Sequence, residues 1–197
     1  MAASELISDA MAMVETSPNT PSGVIVVCGS MSHYQVMIRL RYDLNIMGID
    51  AIIPEDERNL SNVPMSKVDY SQYKRRLSER YFRIIRKKNV FGILIANRPK
   101  HGRDNYIGPN TLAEIAIAVN ARKRIFLLED IYEELADELV AWQAVPLRGD
   151  LKILIQEFTQ TTIETRRQLT FQFSHLSKEE KTLGESHAGD ADTCRNN

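Results

Sequence analysis

Two stretches of the sequence combine residue types and spacing that can do chemistry. In CGSMSHY (28–34) a glycine follows an apolar run, and Ser30 and Ser32 come just before a helical pattern. Gly29 allows a tight turn, and either hydroxyl can stand beside the unsatisfied amides that open a helix, a place suited to phosphate or carboxylate. An ordinary turn with a serine cap reads equally well, because neither the dinucleotide-binding nor the P-loop glycine spacing is present. In YIGPNTLAEIAIA (106–118), Gly108-Pro109 makes a turn, Asn110 or Thr111 caps a helix, and Glu114 falls in its first turn. T-L-A-E fits a capping box, in which the glutamate only reaches back to the cap amide, and it also fits a carboxylate presented to a ligand. Arg103, Asp104 and Tyr106 precede it on a long loop that can close over a bound molecule, and Asp104 is the one carboxylate between Asn97 and Glu114. Histidines and cysteines show no metal-ligand spacing: His33, His101, His175 and His187 are scattered, and Cys28 and Cys194 lie far apart. No metal or cofactor is therefore expected.

The elements that must position these residues follow from hydropathy. GVIVVC (23–28), VFGILIA (90–96) and RIFLLE (124–129) are β-branched or aliphatic runs typical of strands buried on both faces, with shorter strands at IDAIIP (49–54) and AVPL (144–147). Helical spacing fills the intervals: HYQVMIRLRYDLNIMG (33–48), a basic helix from about Asp69 to Lys88, TLAEIAIAVNA (111–121), the acidic DIYEELADELVAW (130–142), and a last helix from about Asp150. Polar loops are expected over 55–72 and 97–110. Strands alternating with helices predict an α/β three-layer sandwich, flavodoxin-like (Rossmann-like), around a five-stranded parallel sheet of order 2-1-3-4-5. Ligands bind such sheets beyond the strand carboxyl ends, which gathers Gly29, Ser30, Ser32, Asn97, Asp104, Tyr106, Gly108, Asn110, Thr111 and Glu114 at one site.

Residues 1–22 read as an N-terminal appendage and linker, 23–160 as the folded domain, and 161–197 as a polar extension expected to be disordered from about Ser174. With 25 basic and 26 acidic residues the formal net charge is −1, which argues against nucleic acid held by bulk charge while leaving room for a local basic patch. Lys74, Arg75, Arg76, Arg80, Arg83, Arg86, Lys87 and Lys88 make the basic helix the main candidate; it reads as a solvated face, or as a surface for a nucleotide phosphate, an acidic partner or RNA. Apolar runs are too short to span a bilayer, and residues 1–22 lack Lys, Arg and a long apolar stretch, so a cytoplasmic protein without membrane attachment is expected.

Taken together, GVIVVCGSMSHYQVM, VFGILIANRPK and NYIGPNTLAEIAIAVNARKRIFLLED resemble the nucleoside 2-deoxyribosyltransferase superfamily, including the 2'-deoxynucleoside 5'-phosphate N-hydrolases. The resemblance covers about residues 23–151, and G-x-N-T-x-A-E-I-x-x-A is its most specific element. It implies a glutamate nucleophile at Glu114, sugar or phosphate contacts from the Gly29-Ser30 loop, a nucleoside or nucleotide as substrate, and a homo-oligomer. Relatives carry an acidic residue just before the third strand, where this chain has Asn89, so a non-catalytic nucleotide-binding or regulatory module on the same fold stands as the alternative.

Overall fold

The computed structural model describes residues 23–56, 66–161, 163, 164 and 167. Expectations for the N-terminal appendage and for the tail beyond Ser174 fall outside these residues. Two compact units divide the chain, Met1–Gln156 and Glu157–Asn197. The first carries the sheet and the candidate site; of the second, the described part is helical at 157–161.

The strands are β1 (Val24–Gly29), β2 (Asp50–Ile52), β3 (Val90–Ala96), β4 (Arg124–Leu127) and β5 (Val145–Pro146). They form one sheet of order β2-β1-β3-β4-β5, every pairing parallel. The α-helices are α1 (Tyr34–Ile46), α2 (Lys67–Ile85), α3 (Pro109–Asn120), α4 (Ala136–Ala141) and α5 (152–161). This is the expected flavodoxin-like α/β architecture.

The continuous apolar runs are explained by burial on both faces. Val26, Cys28, Ile93, Ile95, Ile125 and Leu127 join Tyr81 and Ile85 of α2 and Ile115 and Ala118 of α3 in one cluster. The alternate residues Ile25, Val27, Leu94 and Phe126 are equally buried, as period-2 alternation across the sheet requires. α1 packs on β1 and β2, and burial of Met37, Leu40 and Leu44 defines its inner face. Each such side chain contributes about 1.5–3 kcal/mol of apolar burial. At Gly92 the missing side chain admits the neighbouring strand: a Cβ there would lie 2.7 Å from the Arg124 carbonyl oxygen.

Several boundaries differ from expectation for local reasons. α2 begins at Lys67, so the loop that follows β2 stops at Ser66, whose hydroxyl accepts from the Asp69 amide at 3.1 Å and donates to the Asp69 carboxylate at 2.6 Å. In the acidic segment the Asp130 carboxylate accepts from the next amide, Ile131 N, at 2.9 Å, and the chain stays non-helical until a 3₁₀ turn at Glu133–Leu135 leads into a short α4. α3 starts earlier than its Thr-Leu-Ala-Glu sequence suggests. Gly108 is its N-cap and Pro109 its first residue, where a fixed φ and a missing N–H cost nothing. Neither Asn110 nor Thr111 caps the helix, and its first turn holds no acid, so Glu114 lies in the second turn and the capping-box reading fails.

Candidate active site

A cavity of about 680 Å³ opens at the carboxyl ends of the strands, between β1, β2, the inner face of α2, the loop after β3 and the start of α3. Its lining includes Gly29, Ser30, Tyr106, Gly108, Asn110, Thr111 and Glu114 of the expected site. Ile52, Ile53, Pro54, Leu77, Phe82 and Ile84 give it an apolar wall suited to a flat, weakly polar group.

Glu114 stands on the α3 wall. Asn110 lies one helical turn before it, on the same face. Beneath Glu114 are the buried Cys28 at the end of β1 and Tyr81 of α2. Tyr81 donates its hydroxyl to the Val27 carbonyl at 2.5 Å, fixing α2 to the end of β1. Burial, and then the Glu114 carboxylate, which accepts from it, hold the Cys28 thiol protonated well above its ordinary range. Burial also raises the Tyr81 phenol, with Cys28 and Glu114 adding to the shift. Glu114 is thus half-buried beside two neutral groups, with no cation among the neighbours that shift their titration.

A second polar corner forms at the β1 turn. Ser30 caps the 3₁₀ turn Met31–His33; its Oγ accepts from Ser32 N at 3.4 Å and from Lys100 Nζ at 2.7 Å, and lies 2.9 Å from Ser32 Oγ. Lys100 also lies over the Tyr106 ring, 5.8 Å from its centroid. Lys74 of α2 lines the cavity too, and neither lysine has a carboxylate ion-pair partner among the described residues. Arg80 is instead held by Glu55. Burial, then Lys100 and Arg98, lower the His33 imidazole below its usual value. The corner therefore has a positive field suited to a phosphate or another anion.

Gly29 lets β1 lie close to the end of β3: a Cβ there would be 3.1 Å from Ala96 Cβ and 3.3 Å from Ala96 O, tight enough that the neighbour would have to give by a few tenths of an ångström. The loop after β3 is held in place from its far side. Asn97, fully buried, donates to the Asp130 carbonyl at 2.8 Å and accepts from the Glu129 amide at 2.9 Å. Arg98 pairs with Glu129, Arg103 donates to Tyr132 at 3.2 Å and to Glu134 at 3.0 Å, and Asn105 donates to the Ile131 carbonyl at 3.2 Å. The Tyr106 and Tyr132 rings meet edge to face at 5.8 Å.

The expected residues separate on this geometry. Asn97 lies outside the cavity lining, and its side chain braces two loops. Ser32 reaches the lining only through Ser30, and Asp104 is exposed on the loop, away from the lining. Asn89 precedes β3 and gives its carbonyl to the Val24 amide at 2.9 Å, at the amino edge of the sheet. Asn89 is absent from the cavity lining. Residues 28–34 and 106–118 did not disclose Lys74, Tyr81, Lys100 and Glu55. The available signal was the Leu77-Tyr81-Ile85 spacing, which turns one face of the basic helix inward.

Among the described residues, no group of three or more His, Cys, Asp or Glu side chains is placed to hold a metal ion, and no helix is long and apolar enough to cross a membrane. Compared with protein families, with curated proteins and with solved structures, the chain gives no significant match.

Proposed function

We propose that this protein cleaves the N-glycosidic bond of a nucleoside or nucleotide, by hydrolysis or by deoxyribosyl transfer, with Glu114 as nucleophile. The observation that carries the reading is the Glu114 carboxylate on the cavity wall, freed from any capping duty by the earlier start of α3. A Glu114 oxygen attacks the anomeric carbon, the bond from that carbon to the base nitrogen breaks, and its electron pair leaves with the base, which takes up a proton. Water, or a second base in transfer, then attacks the glycosyl ester and restores the carboxylate. The apolar wall suits the base, and the Lys100-Ser30 corner with Lys74 suits a phosphate or the sugar hydroxyls. The homo-oligomer implied by the family resemblance belongs to this reading, and light scattering on the pure protein tests it.

A second reading, a nucleotide-binding module without turnover, draws on the carboxylates of the cavity lining. They are Glu55 and Glu114, and Arg80 holds Glu55. Among the described residues, no further carboxylic acid lines the cavity to protonate a departing base.

Wild type and Glu114→Gln, incubated with deoxynucleosides and their 5'-monophosphates, distinguish the two by chromatography of free base. Base release by wild type, lost by orders of magnitude in the variant while ligand binding persists, supports the nucleophile. Equal cleavage by both proteins overturns it. Binding without release by wild type favours the module.

A further inference from the structure

We propose that the edge of the sheet opposite the cavity binds the phosphate backbone of a nucleic acid, independently of base sequence. Two segments distant in the chain meet there: the end of α2 with residues 86–88, and the turn between α3 and β4 at 121–123. Lys123 locks them together, its ammonium donating to the Lys87 carbonyl at 2.8 Å and to the Val90 carbonyl at 2.6 Å. Arg122 occupies the left-handed region at φ 55° within that turn. The result is a rigid platform carrying Arg83, Arg86, Lys87, Lys88 and Arg122, all exposed and none with a carboxylate partner among the described residues.

Arg76 and Arg83, seven residues or two helical turns apart, extend the same positive face along α2, while Arg80 between them is held by Glu55 at the cavity. Two acids of α2 and one of β2 need accounting for. Asp69 is engaged at the helix start by Ser66, and Glu79 pairs with Arg75 at 2.8 Å. Asp50 opens β2, and its register partner Val24 separates it from Val90, two strands away. A concentrated cationic face in a chain of net charge −1 is a local feature of the fold and owes nothing to bulk composition.

The chemistry of the face favours a nucleic acid over the other polyanions. An anionic membrane is ordinarily held by cations interleaved with exposed apolar anchors. The large exposed hydrophobic residues of α2, Val68 and Tyr70, stand at its other end. The acidic segment of a second copy is a weaker match, since three of its six acids, Glu129, Asp130 and Glu134, are already paired with Arg98, Arg148 and Arg103. A row of unpaired guanidinium and ammonium groups suits a chain of phosphates, where binding releases condensed counterions. This inference is independent of the cavity and of Glu114.

Fluorescence anisotropy of the full chain with a short labelled single strand of mixed sequence, as RNA and as DNA, tests it. Four or five phosphate contacts to a single strand predict a slope of log K against log salt of about −2.8 to −3.5 between about 50 and 200 mM salt. Arg83→Glu/Arg86→Glu/Lys88→Glu is expected to weaken binding roughly tenfold or more with melting temperature held, and the single Lys88→Glu to weaken it in part. Lys152→Glu, a charge change on an exposed residue of α5, is expected to leave binding unaltered. Absence of binding at the lowest salt overturns the proposal, as does equal loss with Lys152→Glu. Binding to phosphatidylserine vesicles in preference to either strand overturns it in favour of a membrane.

Discussion

The hydroxyl of Tyr81 donates to the carbonyl of Val27, joining a helix and a strand that are 54 residues apart in the chain and fixing the floor beneath Glu114. Because Tyr81 and Val27 are both buried, loss of the phenol hydroxyl leaves that carbonyl without this donor and out of reach of bulk water. Tyr81→Phe keeps the ring and deletes the donor, so stability falls by about 1–2 kcal/mol. Urea denaturation measures this, and an unchanged midpoint would show that the bond contributes nothing net.

Asn97 is expected to act on stability rather than on ligand affinity. Asn97→Ala strips partners from the half-buried Asp130 carbonyl and Glu129 amide. The cost is about 2–3 kcal/mol. Thermal unfolding gives the number. A variant of full stability that binds nucleotide poorly would instead make Asn97 a ligand contact.

Gly92 sets the distance between the two central strands. Gly92→Ala forces its Cβ against a backbone oxygen that belongs to the neighbouring strand and cannot rotate away. Destabilisation of about 2–4 kcal/mol is expected, seen as a lowered Tm. Wild-type stability in this variant would mean that the sheet opens without penalty.

His33 reports on the positive corner. Its imidazole is expected to titrate below 6.5 in NMR, and Lys100→Met should raise the midpoint by removing a neighbouring cation. The sign for folding follows. The unfolded chain binds a proton near pH 6.5 and the native His33 does not, so this contribution to stability is complete above that pH. It is lost as pH falls towards the native value. A midpoint insensitive to Lys100 would remove the corner's field.

Cys28 should be inert while the protein is folded, since burial and the neighbouring carboxylate suppress its thiolate. In a Cys194→Ser background, a disulfide reagent is expected to react only after urea unfolding. Native-state labelling at the unfolded rate would contradict the burial of the β1 end.

What the sequence disclosed was whatever depends on local pattern. The runs at Val24–Gly29 and Val90–Ala96 identify themselves because a strand buried on both faces has no polar side. Strand order then follows from right-handed crossovers. The start of α3 was misread because Thr111-Leu112-Ala113-Glu114 carries a strong cap signature; the Gly108-Pro109 pair before it settled the helix start first. The role of Asn97 was hidden for another reason. Its partners, Glu129 and Asp130, lie on the loop after β4, and no local pattern announces a contact of that range. Lys100 was equally silent, since its meaning comes from Ser30, 70 residues before it.

The bracing of residues 97–106 against the loop after β4 has a thermodynamic consequence. Asn97, Arg98, Arg103 and Asn105 give that segment its conformation through partners outside the cavity. A ligand that meets Lys100 and Tyr106 therefore encounters a wall whose disorder was removed at the folding step. Its association carries no loop-ordering entropy from this side, and the free energy of its contacts goes into affinity and orientation instead.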